Sequence, residues 1–153
     1  MTLSTYLDPE AINLSLRGDT PPAVIAELVA LLRLSPAGAE MVHRLLLKRE
    51  ESGSTGVGHG IAIPHTRCPS VDRIRLAYGH HPEGLEWGGI DGARAHHFFL
   101  IVAPPAEGGA AYLSVLSQVA QLVREPELRA ELARLEAPPG LLSLLARQEL
   151  GSA

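Results

Sequence analysis

The chain has 153 residues, 46% hydrophobic and 20% charged; that is enough apolar material for one domain with its own core and too much for a disordered chain. A net charge of −4 argues against a general nucleic-acid binder, which needs a basic face. A single cysteine, Cys68, excludes an internal disulfide and fits a reducing cytoplasm, while the opening MTLSTYLDPE is no signal peptide and no run nears the ~20 apolar residues of a membrane span.

In chain order, residues 11–16 (AINLSL) read as a short first strand. Asp19-Thr20-Pro21-Pro22 is a helix start, a capping side chain followed by proline in the first turn. Val24, Ile25, Leu28, Val29, Leu31 and Leu32 then recur at helical spacing. Ser35-Pro36 starts a second helix with Met41, Val42, Leu45 and Leu46 inward, ending near Glu51 ahead of the breakers Ser52-Gly53-Ser54. The middle of the chain is β-like. Ile61–Ile63 is a short extended run, 74–79 alternates around Leu76 and Tyr78, and Leu85-Glu86-Trp87 is a brief extended piece. HFFLIV at 97–102 reads as a central strand buried on both faces, ended by Pro104-Pro105. The last third is helical. Tyr112, Leu113, Leu116, Val119, Ala120 and Val123 give one apolar face, and further helices start at Glu125-Pro126 and at Pro138-Pro139. With no internal repeat and no linker, residues 1–153 read as a single domain. Helices, then strands, then helices predict an α/β fold: a three-layer α/β/α sandwich with a small mixed sheet flanked by helices.

The chemistry concentrates at residues 49–67, REESGSTGVGHGIAIPHTR. Neutral imidazole is a good nucleophile near pH 7, and Pro64 restricts Ile63 to extended conformations and stiffens the approach to His65. Around it lie the groups an anion needs: loop amides, the hydroxyls of Ser54, Thr55 and Thr66, and the guanidiniums of Arg49 and Arg67. The candidate is therefore a histidine that accepts a phosphoryl group. The Gly-rich loop 53–60 also invites a nucleotide reading, which fails. Gly58 is followed by His59 rather than by Lys-Ser/Thr, and a helix precedes the loop where a dinucleotide fingerprint needs a strand. A purely structural turn competes for the loop. Cys68 reads as a second nucleophile or as a small buried hydrophobe. His43, His59, His80, His81, His96 and His97 match no familiar metal spacing, which leaves only a metal site assembled in three dimensions.

Arg49-Glu50, Gly53-Ser54-Thr55-Gly56 and Gly60-Ile61-Ala62-Ile63-Pro64-His65 together resemble the IIA domain of the bacterial phosphoenolpyruvate-dependent sugar phosphotransferase system, in its fructose–mannitol–nitrogen-regulatory class. The likeness continues through the Trp87…Ile90-Asp91 segment, HFFLIVAPP and LSVLSQVA, over nearly the whole chain. The resemblance implies a mixed sheet between helical layers and a cytoplasmic phosphoryl carrier without cofactor or metal. It implies acceptance from HPr on His65, with Arg49 beside it, and transfer to a cysteine of a IIB domain or regulation of a target protein. It implies no nucleic-acid partner and no membrane insertion. Ser54, Thr55, Gly56, Thr66 and Arg67 are the expected phosphate contacts. The family carries a second histidine near the start of the helix after the central strand, and here that position reads Tyr112 in Tyr112-Leu113-Ser114. A phenol donates a hydrogen bond to a phosphoryl oxygen but carries no positive charge. An aromatic lid or core role competes for it.

Overall fold

Proline behind a hydroxyl starts the first two long helices, as their sequences require. A computed structural model describes residues 2–89, 91–106 and 109–151; Ile90, from the segment expected to match the family, lies outside them. In α2 (Pro21–Ala30) the Thr20 side chain accepts from the Ala23 amide, and in α3 (Pro36–Glu51) the Ser35 hydroxyl accepts from the Gly38 amide. Each cap satisfies an amide that the first turn leaves without an intrahelical partner. These helices are preceded by α1 (Leu3–Tyr6) and β1 (Leu7–Asn13) and followed by β2 (Gly56–Gly58), β3 (Ile61–Ala62), β4 (His65–Arg67), β5 (Arg75–Leu85) and β6 (Ala95–Ala103). Then come α4 (Gly109–Arg124), α5 (Pro126–Ala133) and α6 (Pro138–Gly151).

The six strands form one mixed sheet in the order β1-β5-β6-β3-β2, with β4 also on β6. β5 and β6 are antiparallel, while β1 lies parallel to β5 and both β3 and β4 lie parallel to β6. β6 is the centre, and Phe98 to Ala103 are all essentially inaccessible, as the unbroken apolar run requires of a strand covered on both faces. α4 packs on β6, α2 on β5, α6 on β1 and α3 on β4. No helix among the described residues is long and apolar enough to cross a membrane.

Three local readings change. The first strand runs over 7–13 rather than 11–16. Pro9 lies inside it, which is tolerated because the register to β5 shifts between Leu7 and Ile12, so the missing amide falls in an irregularity. Leu16 still donates to the His80 carbonyl at 2.9 Å. The stretch 74–79 does not alternate: Leu76, Ala77, Tyr78 and Gly79 are all buried, because this strand has neighbours on both sides and cover on both faces. Leu113, assigned to the inner face of α4, is 64% exposed; Tyr112, Val119 and Val123 lie on that face as expected, together with Val115 and Leu122.

Candidate functional site

His65 is positioned by the sheet. Ile61 and Ala62 of β3 pair with His97 and Phe98, and His65, Thr66 and Arg67 of β4 pair with Ile101, Val102 and Ala103. The offset is the same on both sides of Pro64, so β3 and β4 are one strand line beside β6 with a break at Ile63-Pro64. The break reorients two polar groups. The Ile63 amide donates to the Thr55 carbonyl at 3.0 Å, and the Pro64 carbonyl accepts from Ile101 at 3.0 Å. The Ile63 carbonyl turns to the His65 ring, 2.7 Å from Nδ1. A carbonyl oxygen only accepts, so in the neutral ring the tautomer this contact selects carries the proton on Nδ1 and the lone pair on Nε2.

Side chains alternate along a strand, so His65 and Arg67 share a face of β4 and Thr66 takes the other. Tyr112, in the first turn of α4, meets both members of that shared face. Its ring centroid is 6.3 Å from that of His65, tilted by 60°, and the Arg67 Cζ lies 4.7 Å from the same ring. Burial raises the Tyr112 pKa, and the charges of Arg67 and Arg49 pull against that rise. Arg49, in the last turn of α3, folds over the helix end and donates from Nη1 to the Gly53 carbonyl at 2.9 Å. His65, Arg67, Tyr112 and Arg49 are thus brought together from β4, α4 and α3.

Ser54, Thr55, Gly56 and Thr66 have other partners in this structure. The Ser54 hydroxyl donates to the Trp87 carbonyl at 2.6 Å and accepts from the Gly56 amide at 3.0 Å. The Thr55 amide donates to Glu50 Oε2 at 3.1 Å, the Thr55 hydroxyl donates to Glu50 Oε1, and the Trp87 indole N–H lies 3.4 Å from that hydroxyl. The Thr66 hydroxyl donates to the Arg67 carbonyl at 3.3 Å. Ser54, Thr55 and Gly56 thus build the loop around the site, while Thr66 is held within β4. Gly56 is required there for contact: a Cβ on it would sit 2.9 Å from Gly89 Cα. The loop tip is left-handed at Gly58, His59 and Gly60, and the His59 amide is held by Asp91 Oδ2 at 2.8 Å. Glu50 and Trp87 are the two residues that composition and spacing did not single out for a role. The only tryptophan, placed before Gly88-Gly89, was the available signal.

Four of the remaining histidines, His80, His81, His96 and His97, lie together on β5 and β6, while His43 sits in α3 and His59 in the loop between β2 and β3. His97 is buried, with Nδ1 2.7 Å from the Tyr78 hydroxyl and 3.3 Å from His80 Nδ1. Among the described residues no three His, Cys, Asp or Glu side chains converge as a metal site. Burial lowers the His97 pKa to about 4, with His80 and His96 adding to the shift. The unfolded chain therefore binds this proton near pH 6.5 and the folded protein only near pH 4, so stability falls as the pH drops through that window. Denaturant unfolding at pH 7 and pH 4 should show His97→Gln losing about 3 kcal/mol less than the parent over that range. Equal losses would remove His97 as the cause.

A cavity of about 610 Å³ lies among α1, α4, α5 and α6, lined in part by Leu3, Leu122, Leu128 and Leu145; none of the candidate residues lines it.

The family described as "Phosphoenolpyruvate-dependent sugar phosphotransferase system, EIIA 2" matches residues 5–148. A nitrogen regulatory protein of Bradyrhizobium diazoefficiens is 29% identical, over 95% of this chain and 95% of its own length. The fructose-specific EIIABC component of Bacillus subtilis is 29% identical over 97% of this chain, which spans only 24% of that longer protein. The crystal structure of the nitrogen regulatory protein IIA-Ntr from Neisseria meningitidis superposes with a TM-score of 0.84 at 26% identity, covering 94% of this chain and 98% of the other.

Proposed function

This chain belongs to the EIIA 2 family of the phosphoenolpyruvate-dependent sugar phosphotransferase system, and from that membership we propose that it is a cytoplasmic phosphoryl carrier acting through His65. An HPr-type phosphoprotein is the donor, and a IIB domain or a regulated target protein is the recipient. The observation that carries the reading is the 2.7 Å contact between Nδ1 and the Ile63 carbonyl, which leaves Nε2 as the nucleophile.

In the proposed step the Nε2 lone pair forms a bond to phosphorus as the donor's P–N bond breaks, and the donor nitrogen keeps the bonding pair. Nδ1 retains its proton on the Ile63 carbonyl, so the ring becomes cationic on phosphorylation. A cationic ring is a good leaving group, which suits a carrier that must give the group away. Arg49 and Arg67 balance the charge on the equatorial oxygens, where phosphoryl transfer develops it. The side chains of Ser54, Thr55 and Glu50 keep the loop shaped around the site, and Gly56 lets it approach Gly89.

Mixing the protein with phosphoenolpyruvate, enzyme I and HPr should give an acid-labile, alkali-stable phosphoprotein whose phosphorus NMR signal is that of an Nε2 adduct. A chain that takes up no phosphoryl group under these conditions is not a carrier.

A second reading is a regulatory module whose output is the binding of partner proteins. The match to the Bradyrhizobium nitrogen regulatory protein, along 95% of both chains, favours it. Capture of the same partners in the same yield by phosphorylated protein, unphosphorylated protein and His65→Ala would support it over the carrier.

A further inference from the structure

A carrier site built around a cationic ring and a dianionic phosphoryl group needs fixed positive charge nearby, and Tyr112 carries none. Four observations bear on how this chain meets that need. Arg67 is two residues from His65 on the same strand, hence on the same face. Its guanidinium carbon lies 4.7 Å from the centroid of the Tyr112 ring, within cation–π range. That ring is buried, at 8% exposure, and Arg67 is half-buried against it. The same ring is 6.3 Å from the imidazole of His65.

We propose that Tyr112 is a positioning residue whose ring face, rather than its hydroxyl, holds Arg67 beside Nε2, so that the charge at this position is permanent instead of titratable. The inference rests on the carrier reading of His65. It divides the site into two cations with separate tethers. Arg49 is tied to the Gly53 carbonyl, and Arg67 lies over an aromatic face on the strand that carries the nucleophile. Burial keeps the phenol protonated, so it offers no anion to compete with the phosphoryl group for either arginine. An imidazole in place of the ring would be charged only at acid to neutral pH; an arginine is charged throughout.

The test measures the rate of phosphorylation by phospho-HPr across pH in the full chain. Tyr112→Phe keeps the ring face and should stay within about twofold of the parent, whereas Tyr112→Leu should fall about tenfold. Arg67→Ala should fall at least as far as Tyr112→Leu, and the double variant should be no slower than Arg67→Ala alone, because both changes remove one cation. Tyr112→His should introduce a decline in rate above about pH 6.5 that the parent lacks. Loss of activity in Tyr112→Phe equal to that in Tyr112→Leu would assign the role to the hydroxyl and overturn the proposal. So would full multiplication of the two losses in the double variant.

A readout without any phosphoryl donor separates this failure from failure of the carrier reading. The Tyr112 phenol, followed by NMR of ring-labelled tyrosine, should titrate at higher pH in Arg67→Ala than in the parent. An unchanged titration overturns the contact, even in a chain that accepts phosphate normally. A shifted titration in a parent that takes no label leaves the contact standing and removes only the transfer reaction.

Discussion

His65→Ala should take no acid-labile phosphoryl label while folding as the parent does. The two halves of that result have separate causes. The nucleophile is a single lone pair on Nε2, and neither neighbour described at the site replaces it: a guanidinium offers no free lone pair, and burial disfavours ionisation of the Tyr112 phenol. Removing the nucleophile of a transfer reaction lowers the rate by about a thousandfold or more. The structural contribution of the same side chain is small. His65 is only partly buried, and among the described residues its ring makes one hydrogen bond, to the Ile63 carbonyl. Losing such a bond costs about 1 kcal/mol, so the melting temperature should fall by a few degrees at most. The comparison needs the label and the melt on the same preparation. Label that persists on His65→Ala would move the acceptor to another residue.

The second large effect is on stability. Trp87→Ala should cost about 3–5 kcal/mol, as truncating a buried aromatic generally does, and should slow phosphorylation as well. Trp87 joins the loop to the core. Its ring stands 4.8 Å from Phe98 at 67°, an edge-to-face contact with the central strand. Its carbonyl and indole N–H meet the hydroxyls of Ser54 and Thr55. Trp87→Phe keeps an aromatic ring in the site and loses the indole donor with part of the ring volume, so it should recover much of the stability and less of the rate. Chemical denaturation of both variants checks this. A stability loss below about 1 kcal/mol for Trp87→Ala would mean that the site closes over the missing ring.

What was legible in the sequence was whatever depends on near neighbours. Thr20-Pro21, Ser35-Pro36, Glu125-Pro126 and Pro138-Pro139 mark helix starts because capping and proline geometry are local, and α2, α3, α5 and α6 begin there. HFFLIV announces a strand covered on both faces through its unbroken apolar run. His65 stood out because Pro64 and the loop lie beside it in sequence. The rest depends on partners far along the chain. β2 and β4 are three residues each, too short to carry a period, and exist because β3 and β6 accept them. Burial of consecutive residues from Leu76 to Gly79 follows from neighbours on both sides, which composition does not encode. The partners of the Ser54 and Thr55 hydroxyls are Trp87, thirty-three and thirty-two residues away, and for Thr55 also Glu50. Which partner a hydroxyl in a Gly-rich loop takes in the folded chain is set by residues distant in sequence. The stacking of Arg67 on Tyr112 joins β4 to α4 across forty-five residues and has no signature in spacing.

The break at Pro64 has a consequence for how other chains meet this one. Among the described residues β4 pairs with β6 on one side only, so its outer side is a sheet edge. Exposed edges invite strand addition and, with it, lasting association. Here the edge is only three residues long, and the Arg67 carbonyl on it already accepts from the Thr66 hydroxyl at 3.3 Å. So short an edge gives an added strand little length to hold, while the same three residues carry the side chains of His65 and Arg67.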